Sequence, residues 1–137
     1  MTGFPLKIVT LDGLFYDGEA EEVVVRTTSG DMGVLAGHIN CVSPLGMGRA
    51  TIIIDGKKRY ASCIGGIIFV LNGEVKLVPT TFEWAEDIDV ARSERAAEEA
   101  RRILADKNAT EQQLQNAKAH LMRAQVRLSV AQQQNTL

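Results

Sequence analysis

Glu83-Trp84-Ala85-Glu86-Asp87-Ile88-Asp89-Val90-Ala91-Arg92 is the stretch at which this sequence changes pattern. Ahead of it lie short runs rich in β-branched residues, punctuated by turn dipeptides, which read as strands. Behind it, alanine and leucine recur at intervals of three and four, which reads as helix. The fold class that follows is β plus α, with a strand-rich domain over residues 1–86 and a helical domain over residues 87–137. A junction of two architectures is where a regulatory protein keeps its moving part, so the polar string across it draws the functional reading.

Working back from the junction, Asn72-Gly73 joins strands at 67–71 and 74–78, and Asp55-Gly56 joins Ile52-Ile53-Ile54 to the strand after Lys58. Both dipeptides tolerate the positive φ of a type I′ hairpin turn. Gly65-Gly66 inside a strand pattern marks a bulge or a close backbone approach. Residues 21–28 and 6–10 read as strands, with Asp12-Gly13 turning the chain into Leu14-Phe15-Tyr16. Ser29-Gly30-Asp31 is a turn, and Gly33 and Gly37 make 31–38 a shaped loop more than a straight strand. Strands so short and so many make a sandwich or a flattened barrel.

Working forward, Ala96, Ala97, Ala100, Ile103 and Leu104 form one apolar stripe. Asp106-Lys107-Asn108-Ala109 interrupts it, and Thr110 with Gln113 makes a capping box that starts a second helix. Leu114, Ala117, Leu121, Ala124, Leu128 and Ala131 are a seam for another helix, and the short connection makes the pair an antiparallel hairpin. An alanine seam buries little area at ~25 cal/mol per Å². Such a hairpin is marginal by itself and depends on where it docks.

The composition narrows the function classes. The chain has 137 residues, 45% of them hydrophobic, which is enough for one modest core with an appendage. Lys and Arg number 15 against 17 Asp and Glu, a net charge of -2, so a basic footprint for nucleic acid is missing. No apolar run approaches the ~20 residues of a membrane span, and the N-terminal segment lacks the succession of a secretory signal. Cys41 and Cys63 are accordingly expected as reduced core thiols of a cytosolic protein.

The sequence offers no nucleophile, metal or acid-base constellation and no Gly-rich phosphate loop, so a small enzyme is disfavoured. The dispersed His38, His120, Cys41 and Cys63 lack ligand spacing, and His38 reads as a structural or surface residue. Lys57-Lys58-Arg59 is a solvated turn. Arg123 and Arg127, four apart, share a helix face, and Arg92 opens the preceding helix. In an antiparallel hairpin the three guanidinium groups converge, with Asp89 and Glu83 nearby, into a set able to bind a polyphosphate by forked, charge-assisted hydrogen bonds. Ordinary surface ion pairs with Asp89 as a helix cap account for the same residues, and on spacing alone that account is the stronger.

The order of the pieces resembles the epsilon subunit of bacterial F-type ATP synthases. Gly30-Asp31-Met32-Gly33-Val34-Leu35-Ala36-Gly37-His38 is similar to that family's Gly-x-x-Gly-[Ile/Val]-Leu-Pro-Gly-His loop, with Ala36 in place of proline. Gly65-Gly66 fits its paired glycines, and Ala85-Glu86-Asp87-Ile88-Asp89 fits its entry to the helical domain. The resemblance spans essentially the whole chain. It implies an N-terminal β-sandwich followed by a C-terminal helical hairpin, in a non-catalytic subunit of the central stalk.

The partners it implies are the gamma subunit, the membrane c ring and the catalytic alpha/beta head. The location it implies is peripheral, at the cytoplasmic face of the cell membrane. Asp31 and His38 fall in the implied rotor contact. The implied hairpin is mobile and blocks ATP hydrolysis when extended, with Arg101, Arg102, Arg123 and Arg127 as its contacts to the head. Some members bind ATP through [Ile/Leu]-Asp-x-x-Arg-Ala; here Ile88-Asp89-Val90-Ala91-Arg92-Ser93 matches, with serine in the final place. Glu83, Asp89, Arg92, Arg123 and Arg127 are then the candidate nucleotide contacts. ATP is the expected regulatory ligand and no cofactor is required. The other accounts are a purely structural coupling subunit with an inert hairpin and a free-standing nucleotide sensor.

Overall fold

The computed structural model describes residues 2–135. It divides into two compact units at the Trp84/Ala85 junction. The first consists of strands β1 (Phe4–Thr10), β2 (Gly13–Ala20), β3 (Glu22–Thr27), β4 (Gly30–Val34), β5 (Cys41–Pro44), β6 (Met47–Ile54), β7 (Lys57–Ile64), β8 (Ile67–Leu71), β9 (Glu74–Val78) and β10 (Thr81–Trp84). They form two five-stranded sheets, in the orders β2-β1-β9-β8-β5 and β10-β7-β6-β3-β4. All pairings between these strands are antiparallel except β1 with β9.

Alternation decides which face of each sheet turns inward. Phe4, Leu6 and Ile8 of β1, with Ile68, Val70, Val75 and Leu77, line one inner face. Val23, Val25, Ala50, Ile52, Ala61, Cys63, Phe82 and Trp84 line the other. Cys41 and Cys63 are both free thiols, Cys41 only partly buried. Burial pushes the Cys63 thiol up to about 12.

On the side where β2 and β10 end their sheets, aromatic rings fill the gap. Phe15 meets Phe82 edge-on at 5.1 Å, Phe82 meets Trp84 at 5.1 Å, and Tyr16 meets Trp84 at 6.5 Å. The Arg59 guanidinium lies over the Trp84 ring at 3.8 Å. Burial is the largest cause of the raised Tyr16 pKa in this cluster.

Asp55-Gly56 and Asn72-Gly73 take the positive φ that their hairpins require, 52° and 75° in the first and 52° and 83° in the second. The segment 31–38 departs from expectation: Gly30–Val34 is a paired strand, and only 35–40 is loop. Glycine does not prevent pairing when a neighbour supplies the ladder, and β3 does so from Val23 to Thr27. Strands β5 and β10 have four residues each and were not expected.

The second unit begins with a 3₁₀ turn, Ala85–Asp87, and continues as α1 (Val90–Leu104) and α2 (Glu111–Asn135). The Asp89 carboxylate caps α1 by accepting the Arg92 N–H at 3.0 Å. Thr110 and Gln113 form the reciprocal box: Thr110 Oγ1 accepts the Gln113 N–H at 3.1 Å and Gln113 Oε1 accepts the Thr110 N–H at 2.8 Å. Between the helices, the Asp106 carboxylate accepts the Asn108 N–H at 2.9 Å in a compact turn. Ala117, Ala124 and Ala131 of the expected seam are buried, with Leu114, Leu121 and Leu128 half-buried beside them. On α1 the buried line is Ser93, Ala97 and Ala100, and Ala96 is exposed. The stripe is therefore turned slightly from the expected one, because the partner helix selects a narrower arc than alanine spacing does.

The paired glycines make the close approach anticipated for them. Gly66 has φ +94°, and a Cβ there would collide with Val78 O and stand 2.6 Å from Pro79 Cα. Gly66→Ala should cost about 3 kcal/mol or more in urea unfolding of the chain, through backbone overlap combined with left-handed strain. Gly73→Ala, with φ +83° but open space, should cost distinctly less.

Candidate functional site

The geometry of the helical unit decides which charged side chains can act together. Arg92 lies twelve residues before the end of α1, and Arg123 lies twelve residues after the start of α2. At 1.5 Å per residue both stand roughly 18 Å from the connecting turn, so they are level. Rotation settles the side. Counting ~100° per residue, Arg92 falls about a quarter turn back from buried Ser93, and Arg123 the same from buried Ala124. In an antiparallel pair of right-handed helices, equal rotations in the same sense fall on the same side of the pair. Arg127 and the Asp89 cap lie on that flank too.

Asp89, Arg92, Arg123 and Arg127 thus share one flank of the hairpin. Arg123 and Arg127 are half-buried, Arg92 exposed. Among the described residues neither Arg92 nor Arg123 forms an ion pair. Arg123 Nη2 instead donates to His120 Nδ1 at 3.1 Å. Unpaired guanidinium groups on a common flank are electrostatically costly together and are relieved by an anion. Glu83 belongs to the other unit, on β10 opposite Ser62 of β7. Ser93 stands at the buried seam, where its side chain adds a hydroxyl.

The other two arginines stand apart. By the same rotation Arg101 lies on the opposite flank, and Arg102 points directly away from α2. Arg102 is held by its own helix, 3.5 Å from Glu98 and 3.0 Å from Glu99. In this hairpin Arg101, Arg102, Arg123 and Arg127 do not make one surface.

A second surface belongs to the sandwich. Asp31 pairs with Arg26 at 2.8 Å across the β3–β4 ladder. His38 closes a turn, its N–H donating to Leu35 O at 3.2 Å and its Nδ1 to Ile39 O at 2.7 Å. The turn holds Leu35 and Ile39 out at 51% and 77% exposure, and Val42 on β5 is 57% exposed. These apolar side chains escaped the sequence reading. Their signal was available, since apolar residues within a glycine-marked turn have no strand face to hide on.

Among the described residues no three His, Cys, Asp or Glu side chains gather as a metal site. No described helix is long and apolar enough to cross a membrane.

Comparison with known proteins gives this geometry a family. Residues 3–85 match the ATP synthase delta/epsilon chain beta-sandwich domain, and residues 86–132 match the long alpha-helix domain of the same chains. The chain belongs to the ATP synthase delta/epsilon family. A relative from Ruminococcus albus named ATP synthase epsilon chain is 38% identical over 133 residues, covering 96% of this chain and 98% of its own. Another epsilon chain, from Alkaliphilus oremlandii, is 41% identical over 101 residues, covering 74% and 75%. Among solved structures, a chain of the Euglena gracilis mitochondrial ATP synthase superposes with a TM-score of 0.70 at 24% identity, over 98% of this chain and 81% of that one, and so shares the fold. The expected β-sandwich and helical hairpin are both present, and the chain is an epsilon subunit of the F-type enzyme.

Asp89 carries two candidate roles, cap and ligand contact, and they separate experimentally. Asp89→Ala should lower helical stability by about 1 kcal/mol in thermal unfolding followed by circular dichroism. Asp89→Ser should restore most of that loss, because a hydroxyl also caps, while removing the carboxylate from the flank.

Proposed function

We propose that this epsilon subunit is a non-catalytic rotor component whose hairpin senses ATP and restrains ATP hydrolysis. The observation that supports it most directly is the common flank of Asp89, Arg92, Arg123 and Arg127, with Arg92 and Arg123 level and lacking carboxylate partners. Guanidinium groups from two helices reach one polyphosphate only while the helices are paired. The sandwich domain takes the stalk role, docking on gamma and on the c ring through the 31–38 region. The location is peripheral, at the cytoplasmic face of the membrane.

The mechanism is a population shift. ATP binds the closed hairpin and holds the brake off; when ATP falls, the hairpin opens toward the alpha/beta head. A ligand moves such a balance only by its difference in affinity for the two states. Here that difference is inherent, because opening separates Arg92 from Arg123. Opening also removes the fixed register that keeps Arg101 and Arg102 on other faces than Arg123 and Arg127, so that all four can meet acidic groups of the head.

Two measurements separate the parts of this proposal. In an ATP titration of the full chain, the double variant Arg123→Ala, Arg127→Ala should bind at least tenfold more weakly than the unaltered chain, since charged hydrogen bonds contribute about 1.5–3 kcal/mol each. Equal binding by the two would remove the sensor role. Deleting the residues after Asp87 should raise ATP hydrolysis by the reconstituted enzyme severalfold. Unchanged hydrolysis by a fully assembled enzyme would leave a structural coupling subunit with an inert hairpin. Failure to co-purify with the synthase would leave a free-standing sensor.

A further inference from the structure

His120 lies one helical turn before Arg123, and its Nδ1 is the partner of Arg123 Nη2 at 3.1 Å. A guanidinium has no acceptor, so Nδ1 must accept and the ring proton must sit on Nε2. The imidazole is therefore neutral whenever it holds Arg123. With both nitrogens protonated the bond is lost, and two cations stand in its place. By helix rotation His120 is on the same flank as Arg92, Arg123 and Arg127. By level and rotation the charged groups on its flank are Glu99 and Arg92 from α1 and Arg123 from α2 itself, with the Asp89 cap and Arg127 about two turns farther along.

We propose that His120 is a proton-switched fourth cation of the polyphosphate site and, when neutral, the positioning residue for Arg123. This rests on the nucleotide reading above. In the ligand-free hairpin the neutral ring accepts from Arg123 and keeps that side chain along the flank. A bound polyphosphate takes over the Arg123 donors and leaves the imidazole beside an anion. A proton added there gains an attraction that the ligand-free hairpin does not provide. Linkage then requires the nucleotide to bind more tightly as pH falls through the range, between 5 and 8, in which imidazole changes charge. The hairpin would thus read acidification together with ATP.

The test compares ATP binding by the full chain and by His120→Gln at about pH 8 and about pH 6. Glutamine can accept from Arg123 through Oε1 and does not titrate, so it keeps the positioning and removes the switch. ATP gains a proton of its own over this range, so the quantity read is the ratio of the two affinities. The two chains should bind alike at the higher pH, and the unaltered chain should gain about three- to tenfold over the variant at the lower one. A ratio unchanged with pH overturns the switch. Nitrogen-15 spectra of the ligand-free chain give a second readout: the Nε2–H tautomer is expected, and the Nδ1–H tautomer overturns the positioning role. Binding that depends on Arg123 and Arg127 but shows a flat ratio removes His120 alone. No binding by the unaltered chain at either pH removes the nucleotide reading and this inference with it.

Discussion

The close approach of α1 and α2 across small side chains determines what the hairpin can present. Ser93, Ala97 and Ala100 share the contact between the helices with Ala117 and Ala124, and side chains of that size let helix axes come to about 8 Å. The level and rotation of every other residue follow from that contact. Arg92 stands beside Arg123 because both are twelve residues from the turn. Arg101 and Arg102 are excluded from the same flank by rotations of the same origin. Each buried methyl contributes little apolar area to that contact. One feature therefore accounts for the convergence of the arginines on one flank.

The sandwich is built on the opposite principle. Its inner faces are large and β-branched, and its open side is filled by Phe15, Tyr16, Phe82 and Trp84. Trp84 is the last residue of β10 and lies under the Arg59 guanidinium, so the chain is held firmly up to the residue before the helical unit begins. Packing thus changes at the junction from large rings and branched side chains in the first unit to small side chains in the second.

The elements that were legible in the sequence are those written in local chemistry. Asp55-Gly56 and Asn72-Gly73 announce their turns through the φ they tolerate, and Thr110 with Gln113 announces a helix start through hydrogen bonds that reach only three residues. Strands β5 and β10 were not legible, because four residues carry too little alternation to stand out. β4 was masked by its glycines, whose pairing is supplied from outside by β3. Asp89 was legible as a cap, whereas its place on the flank of Arg92, Arg123 and Arg127 required the two helices to be set side by side.

The sequence by itself determined the two architectures, the turns, the caps and the Arg123–Arg127 spacing, because these depend on interactions between near neighbours in the chain. Only the tertiary structure decided that Ala96 faces solvent, that Arg101 and Arg102 point away from the other arginines, and that Arg123 is engaged by His120. It alone decided that Gly66 lies against Val78 and Pro79, and that Leu35 and Ile39 stand exposed. Each of these depends on which surface a distant segment covers, and the period of a helix or strand names a face without naming what packs on it.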